Sequence, residues 1–402
     1  MRKKVKNNVF WVGKTDWDLK KFHGDEYSTH KGSTYNSYLI QEEKTVLIDT
    51  VWSPYAAEFV DNLANEIDLE CIDFIVANHG EADHSGALPE LMKRIPKTPI
   101  YCTANAVKSL KGQYHQNWKF HIVKTGDKIA VGNGKSLIFV EMSMLHWPDS
   151  MATYLTEDNI LFSNDAFGQH YATEKLFNNE VDQYELVEEA MKYYANILTP
   201  FSQVLVKKLE EVISFGLTID IIATSHGVIW SDDPMQIIGK YSQWAQNYQE
   251  NQITIVYDTM WNGTKTIAGK IAEGIGAVDP DVVVKIYNIA KSDQNDVITE
   301  IFKSKMVMMG SPTFYNSILN SVAGFIHLMK VLKFKNKKAA AFGCYGWSGE
   351  SVKILNNMMA EAGFEIIDEG FRNPWSPDTD AQAKAVEFGG RIAILARKEE
   401  MQ

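Results

Sequence analysis

The sequence predicts an α/β protein of two domains, residues 1–250 and residues 251–402. In the first half, hairpin-like strand pairs are mixed with helical segments, which favours two sheets packed face to face with helices outside, an αββα sandwich. In the second half, strands and helices alternate strictly, which predicts a doubly wound, parallel, five-stranded sheet. The two patterns change over near residues 248–252.

Composition bounds the function before any motif is considered. The 402 residues are 45% hydrophobic and 23% charged, which is ordinary for a soluble globular protein. A formal charge of -11 argues against binding to nucleic acid or to an anionic membrane. Cys71, Cys102 and Cys344 are far apart, so we expect no disulfide scaffold, no cysteine-ligated zinc and no appended iron–sulfur module. Residues 1–10 lack a signal-peptide core and no apolar run could span a bilayer, so we expect a cytoplasmic protein.

Short apolar or alternating runs predict the elements of the first domain. Strands are predicted at 9–12, 35–40, 45–50, 71–77, 99–102, 135–142, 152–155, 159–163 and 219–224. Helices are predicted at 54–67, where Pro54 suits the first turn, at 87–94, between 182 and 214, and at 234–248.

The second domain reads as five strand–helix units. Strands are predicted at 253–258, 282–287, 306–310, 338–343 and 364–368, and helices at 264–276, 294–303, 317–331, 349–362 and 378–396. The loops that follow these strands meet at the carboxyl edge of the sheet, where doubly wound folds bind ligands.

Residues 78–86, which follow the strand at 71–77, carry a dense group of metal-binding side chains. His79, Glu81, Asp83 and His84 fall within six residues. A loop can turn all four toward one point, as a regular helix or strand could not. A polar loop with a helix cap is the ordinary alternative, but it does not explain two imidazoles and two carboxylates at this density.

Four further candidates each lie at the end of a predicted strand. They are Asp49, His146, Asp165 and His226. Taken singly, each fits a capped or hydrogen-bonded turn residue. Taken with the first group, their order along the chain is informative.

That order resembles the metallo-β-lactamase superfamily, whose hydrolases read H-x-H-x-D-H and then His, Asp and His. Here Glu81 replaces the second histidine of the motif. A carboxylate in place of an imidazole makes the site harder and more anionic, which suits iron better than a hydrolytic zinc. The variant is similar to the flavodiiron proteins, and this resemblance covers residues 1–250.

The resemblance implies a ligand set of two groups and a bridge. His79, Glu81 and His146 would hold one iron, Asp83, His84 and His226 the other, and Asp165 would bridge both. Because His84 directly follows Asp83, a water ligand in place of His84 remains an alternative. Asp49 would brace the loop behind the ligands. His23, His170 and Tyr193 could line a substrate pocket or have surface or core roles.

Three loops of the second domain predict a binding site for a planar heterocycle that carries a phosphate. They contain Thr259, Met260, Trp261, Asn262, Gly263 and Thr264; Ser311, Pro312, Thr313, Phe314, Tyr315 and Asn316; and Tyr345, Gly346, Trp347, Ser348 and Gly349. Hydroxyls at a helix start suit a phosphate, and aromatic rings among small residues suit a planar heterocycle. Neither G-x-G-x-x-G nor G-x-x-x-x-G-K-[ST] is present.

Together these loops resemble flavodoxin over residues 251–402, which implies FMN. The first loop would hold the phosphate and the other two would flank the ring system. One difference is that Asn262 precedes Gly263, whereas flavodoxins more often have Gly before Asn.

The joint resemblance implies an oxidoreductase that passes electrons from rubredoxin or a similar donor through FMN to a non-haem diiron site. The diiron site would reduce dioxygen to water, nitric oxide to nitrous oxide, or both. One reduced flavin and two ferrous ions hold the four electrons that dioxygen needs. The family also implies a head-to-tail homodimer, and a separate electron donor because no rubredoxin domain is recognised here.

Two alternatives belong to other classes. One is a zinc-dependent hydrolase of metallo-β-lactamase fold with a fused flavodoxin-like domain, which two zinc ions and no flavin colour would support. The other is a flavodoxin-like carrier whose metal half is structural, which undiminished dioxygen consumption after iron removal would support.

Overall fold

A computed structural model describes residues 2–397, which fold into two compact units. The first unit runs through Tyr194 and includes Phe201–Ala245; the second contains Ala195–Pro200 and the chain from Gln246 onward. Within residues 2–397, no helix has both the length and the apolar character that crossing a membrane requires.

The first unit contains a sheet of seven strands. In spatial order they are Lys3–Lys6, Val9–Trp11, Tyr38–Gln41, Thr45–Ile48, Ile72–Val76, Ile100–Cys102 and Phe120–Ile122. The first four are antiparallel neighbours, and the last four run parallel to one another. Two small ribbons pair Lys14–Asp16 with Ser33–Tyr35 and Lys21–Phe22 with Tyr27–Ser28.

A second sheet of five strands packs against the first. Its order is Lys128–Gly132, Lys135–Glu141, Met151–Leu155, Ile160–Asn164 and Ile221–Thr224. Val46 and Phe74 of the first sheet share one buried cluster with Leu137, Phe139 and Phe162 of the second. Alternate side chains of both sheets therefore form a common core, and the predicted αββα sandwich is confirmed.

The first unit also contains α-helices. They are Ala56–Glu66, Ala82–Ser85, Leu88–Arg94, Ala104–Tyr114, Gln183–Tyr193, Ser202–Ser214 and Met235–Trp244. Helix Ala104–Tyr114 was not predicted, although the Thr103 hydroxyl accepts a hydrogen bond from the Ala106 N–H as an N-cap.

The strand predicted at 35–40 is wrong as one element. It is broken after Tyr35, and Tyr38 begins a strand of the large sheet. The break falls at Asn36, whose side chain accepts a hydrogen bond from Trp11 Nε1 at 2.8 Å and donates one to the Thr224 carbonyl at 2.8 Å. Those side-chain bonds compete with the sheet ladder at this point.

The second unit is a parallel sheet with the strand order of flavodoxin, which confirms that prediction. In spatial order the strands are Val283–Asn288, Glu250–Tyr257, Ser304–Gly310 and Lys338–Tyr345, followed by Glu365–Ile366 and Phe371–Pro374, which both pair with Lys338–Tyr345. The fifth strand position is thus split in two. At Gly370, between the halves, φ is +99° and an added Cβ would lie 2.5 Å from the Ala341 carbonyl oxygen.

Five helices complete this unit. They are Gly263–Val278, Gln294–Lys303, Asn320–Leu332, Ser351–Glu361 and Thr379–Arg397. Because helices lie on both faces, the central strand Ser304–Gly310 is buried along its whole length.

A buried lysine lies at one end of the parallel sheet and donates hydrogen bonds to backbone carbonyls there. Lys337 Nζ donates to the carbonyls of Ser304 at 2.7 Å, Phe302 at 2.8 Å and Tyr248 at 3.3 Å. Burial lowers the pKa of Lys337 to about 7, and the charge of Glu250 opposes this only in part.

We therefore predict a pH-dependent stability that Lys337→Met removes. The unfolded chain holds the lysine proton to about pH 10.4, whereas the folded chain releases it near pH 7, so the free energy of unfolding rises between these values. The limiting slope is about 1.4 kcal/mol per pH unit. Urea unfolding at pH 7 and pH 9 measures it, with the exposed Lys335→Met as the control. Parallel pH curves for wild type and Lys337→Met would contradict the prediction.

Candidate metal centre and cofactor cleft

Residues 78–86, which carry the dense group of metal-binding side chains, follow the strand Ile72–Val76 and include a one-turn helix, Ala82–Ser85. The prediction of a loop throughout residues 78–86 is wrong at this turn, which is too short to give a helical period in sequence. The carbonyl of His84 accepts hydrogen bonds from the backbone N–H and the hydroxyl of Thr50, at 2.7 and 2.8 Å. These bonds fix the turn that carries Asp83 and His84.

The first cluster joins three side chains from two segments. Glu81 Oε2 lies 3.1 Å from His79 Nε2 and 3.4 Å from His146 Nε2. His79 is fully buried, and His146 and Glu81 are nearly so. The structure thus brings together the residues predicted for the first metal.

The second cluster has the same character. Asp83 Oδ2 lies 3.0 Å from His226 Nε2 and 3.2 Å from His84 Nε2. The adjacent residues Asp83 and His84 therefore point at one volume from within a helical turn, and the expectation that only a loop could do this is wrong for these two residues. His84 lies inside the cluster.

Asp165 lies between the clusters and presents one oxygen to each. Its Oδ2 is 3.5 Å from His146 Nε2 and 3.7 Å from His79 Nε2. Its Oδ1 is 2.9 Å from His84 Nε2 and 3.6 Å from His226 Nε2. A carboxylate placed this way can bridge two ions.

The donor atoms fit two metal ions. Both oxygens of Asp165, Oδ1 of Asp83, and Nε2 of His84 and of His226 are buried without a hydrogen bond of acceptable geometry. Buried polar atoms are rarely left so, because each one costs free energy. Oxygen and imidazole donors converging in two groups are what divalent transition metals bind.

The electrostatics of the cluster point the same way. Burial acts to raise the pKa of Asp165, but His84, His146 and His79 outweigh it and hold that pKa well below its usual value. Burial acts to lower the pKa of His84, but Asp165 and Asp83 outweigh it and raise that pKa to about 9. The carboxylates therefore favour positive charge in this volume.

Residues behind the clusters hold the ligands in place. Asp49 accepts hydrogen bonds from the backbone N–H of Asn78 at 2.7 Å and from its side chain at 3.0 Å. Burial raises the pKa of Asp49 to about 6. His226 Nδ1 lies 2.6 Å from the Thr34 carbonyl oxygen, which directs Nε2 toward the cluster.

Asp149 was not singled out from the sequence, although it ends the segment that contains His146. Its Oδ1 lies 3.2 Å from His79 Nδ1, and its Oδ2 accepts the Gly80 N–H at 2.9 Å. Burial acts to raise the pKa of Asp149, but His79 and the Gly80 N–H outweigh it and lower that pKa. The carboxylate thus orients His79 from behind.

We predict that Asp149→Asn lowers metal affinity by about 10- to 100-fold, the usual effect of losing a carboxylate behind a histidine ligand. The neutral asparagine no longer raises the basicity of His79, and its single acceptor oxygen cannot serve both the His79 ring and the Gly80 N–H. Chelator competition measures the affinity, with Asp61→Asn, a surface carboxylate paired with Arg94, as the control. Equal metal retention in both variants would contradict the prediction.

The three pocket candidates lie around the clusters. His23 Nε2 is 3.2 Å from Glu81 Oε1, and about a third of its side chain is exposed. His170 is buried 4.9 Å from the His226 ring and 5.2 Å from the Tyr193 ring, and its Nδ1 lies 2.7 Å from Ser33 Oγ. His170 and Tyr193 therefore lie beside His226 of the second cluster, and His23 lies beside Glu81 of the first.

In the second unit, the predicted loops enclose a cleft of about 460 Å³, within the usual range for a cofactor site. Twelve of the predicted residues line it: Thr259, Met260, Trp261, Gly263, Thr264, Pro312, Thr313, Phe314, Tyr315, Tyr345, Gly346 and Trp347. Five others do not: Asn262, Ser311, Asn316, Ser348 and Gly349.

The residues outside the lining shape the loops. The Ser311 hydroxyl accepts the Leu319 N–H at 3.1 Å. Asn262 precedes the helix Gly263–Val278 with φ of +64°, a conformation that asparagine tolerates better than most residues, so Asn at this position is compatible with the turn. Gly349 also has a positive φ, of +81°.

Three lining residues were missed: Cys344, Trp375 and Ser376. Trp375 and Ser376 follow the strand Phe371–Pro374, and Trp375 N–H donates to the Tyr345 carbonyl at 2.6 Å. That strand carries an arginine and an asparagine instead of an apolar run, so its carboxyl end was not recognised in the sequence.

The end of the cleft at the helix start carries unpartnered donors. Thr259 Oγ1 and Thr264 Oγ1 are both buried and make no hydrogen bond within the described residues. The helix Gly263–Val278 also begins at this end, where Gly263 and Thr264 line the cleft, and the first N–H groups of a helix have no intrahelical partner, as at other anion sites. The chemistry of this end fits a phosphate monoester, and the aromatic walls fit a flavin ring.

A sandwich that carries two bridged carboxylate–imidazole clusters, followed by a flavodoxin-like unit with an aromatic cleft, defines a two-domain oxidoreductase class. A family model described as ODP family beta lactamase matches residues 34–227, and one described as flavodoxin matches residues 255–389. The anaerobic nitric oxide reductase flavorubredoxin of Klebsiella pneumoniae subsp. pneumoniae is 56% identical over 390 residues, 97% of this chain and 81% of that protein.

Solved structures agree over the full length. The rubredoxin oxygen:oxidoreductase of Desulfovibrio gigas has a TM-score of 0.95 and 32% identity, with 100% of both chains covered. The flavodiiron protein of Giardia intestinalis has a TM-score of 0.94 and 31% identity, with 99% of this chain and 97% of that chain covered. The chain belongs to the flavodiiron protein family.

Proposed function

We propose that the chain passes electrons from rubredoxin or a similar donor through FMN to two iron ions, and reduces nitric oxide to nitrous oxide there. Dioxygen, reduced to water, is a second substrate of the same site. The relatives support both substrates: the Klebsiella protein is named a nitric oxide reductase, and the Desulfovibrio protein a rubredoxin oxygen:oxidoreductase.

The observation that carries the proposal is the placement of Asp165 between two clusters. His79, Glu81 and His146 would hold one iron, and Asp83, His84 and His226 the other, with Asp165 bridging. When bound, the irons would supply one-electron chemistry toward small gases, and FMN would supply the electrons. The carboxylates of Glu81, Asp83 and Asp165 would stabilise the higher iron charge through their own negative charge.

The chain also offers a proton at the edge of the site. Reduction of nitric oxide or dioxygen to the products named above consumes protons. Burial acts to lower the pKa of His23, but its hydrogen bond to Glu81 and the nearby carboxylates outweigh this and raise that pKa. A partly exposed histidine whose Nε2 lies 3.2 Å from Glu81 Oε1 can carry protons from solvent to the metal site.

The cleft of the second unit would take FMN. Thr259 and Thr264 would donate to its phosphate, while Tyr345 and Trp347 would flank the ring. Trp261 and Trp347 are 86% and 83% exposed beside the cleft, which suits a surface that a second protein covers. We include a head-to-tail homodimer, a cytoplasmic location and the division at residues 250/251 into a metal domain and an FMN domain in the same proposal.

Purified protein tests the proposal directly. We expect two irons and one FMN per chain, and consumption of nitric oxide and of dioxygen when reduced rubredoxin is supplied. Gas electrodes run side by side on one preparation compare the two rates, and the nitric oxide rate is expected to be higher. A preparation with two zincs, no flavin and hydrolytic activity on a lactam or thioester would overturn it.

A further inference from the structure

A cavity of about 130 Å³ lies on the outer face of the second sheet of the first unit. Its floor is formed by strands Lys135–Glu141, Met151–Leu155 and Ile160–Asn164, and its roof by helices Ser202–Ser214 and Met235–Trp244. Leu161 and Ser163 face it, whereas Ile160 and Phe162 face the core between the sheets. The cavity is thus separate from that core.

The lining side chains are almost wholly apolar. Tyr154 and Ser163 carry the only hydroxyls in the lining, and both are engaged elsewhere. The Tyr154 hydroxyl lies 2.6 Å from the Thr218 carbonyl oxygen, and the Ser163 hydroxyl donates to the Ala166 carbonyl at 2.7 Å. Water entering the cavity would find no free side-chain donor, and an apolar cavity of about 150 Å³ in another protein stays dry and binds xenon.

The inner end of the cavity is the turn that carries Asp165. Ser163, Ala166 and Phe167 all line the cavity and flank that residue in sequence. The turn is fixed by the Phe167 carbonyl, which accepts a hydrogen bond from Trp230 Nε1 at 2.9 Å. The cavity therefore ends at the segment that holds the bridging carboxylate.

The outer end opens between the two helices. Ile213 is 63% exposed and Met235 49% exposed at this opening, and both line the cavity. Apolar side chains at a mouth admit apolar solutes and give ions no hydrogen-bond partner. A path lined by such side chains runs from solvent to the Asp165 turn.

We propose that this cavity is a binding site for the apolar diatomic gas that the enzyme reduces, and that it supplies the metal site from the Asp165 side. The inference rests on the proposed function. Nitric oxide and dioxygen are small, weakly hydrated molecules that partition from water into a dry apolar volume. The gain in local concentration is about fourfold for a solute that buries as much surface as one methylene group.

Xenon tests the site without turnover. Crystals of the full chain under xenon pressure should show xenon in the cavity of the wild type and none in Val212→Trp, which fills the cavity from the helix Ser202–Ser214. Val206→Trp, on the same helix and also half-buried but outside the lining, is the matched control and should retain xenon. Ile238→Trp fills the cavity from the other helix if Val212→Trp does not fold.

Kinetics test the role. In Val212→Trp the KM for the gas should rise about fourfold, while kcat and the KM for the donor stay unchanged, because only gas supply is altered. If xenon binds in the wild type but the KM for the gas is unchanged in Val212→Trp, the cavity is only a packing void and the inference is overturned. If the wild type turns over normally but binds no xenon, only the inference of a gas site in the cavity is overturned. If xenon binds but neither gas is turned over, the proposed function is overturned and the cavity remains a gas-binding site.

Discussion

Asp165→Asn should leave the protein folded with only one tightly held metal ion and with reductase activity lowered by roughly 100-fold or more. The carboxylate presents Oδ2 to His146 and Oδ1 to His84. Asparagine keeps the shape but offers a single oxygen, so one cluster must face an amide N–H₂ group that cannot bind a metal. The site also loses one negative charge from between the two ions.

The measurement is the metal-to-FMN ratio per chain together with the rate of gas consumption. FMN content should not change, because the cleft lies in the other unit. Asp158→Asn is the control, since it removes an equally buried carboxylate that pairs with Lys135 at 2.7 Å. Two ions and a full rate in Asp165→Asn would show that the carboxylate does not bridge.

The candidate metal ligands could be selected from sequence because most of the information is local. His79, Glu81, Asp83 and His84 lie within one short stretch, and Asp165 and His226 follow strands whose carboxyl ends meet at one edge. Asp149 could not be selected in this way. Its contact with Gly80 joins residues 69 positions apart, and a single aspartate in a turn carries no pattern of its own.

The fold was predictable where a hydrophobic pattern extended over a long element, and it was not predictable where the elements were short or polar. The parallel sheet of the second unit was recognised because its buried strands contain continuous apolar runs, such as residues 306–309 within Ser304–Gly310. The helix Ala104–Tyr114 interrupts its apolar residues with Lys, Gly and Gln and buries only Ala106 and Leu110, so its period is weak. Trp375 was missed because the strand before it carries polar side chains on the outer edge of the sheet.

A second large effect is expected from substitutions at the proposed binding site for the FMN phosphate. Thr259→Val and Thr264→Val should each lower FMN affinity by roughly 10- to 100-fold, because a hydrogen bond to a charged group contributes about 1.5–3 kcal/mol. Both hydroxyls are buried without a partner. Titration of apoprotein with FMN, followed by flavin fluorescence, gives the dissociation constants. Iron content should not change in either variant.

Stability provides a second readout that separates phosphate binding from folding. Valine is close in shape to threonine and lacks the hydroxyl, so removing an unpartnered buried hydroxyl should leave the apoprotein as stable or more stable. The Tm of FMN-loaded protein should fall, since weaker binding stabilises the folded chain less. Thr266→Val is the matched control, because Thr266 lies on the same helix but is only half-buried and its hydroxyl already donates to the Asn262 carbonyl at 3.1 Å. A fall in apoprotein Tm with unchanged FMN affinity would mean that Thr259 and Thr264 support the fold and that the phosphate binds elsewhere.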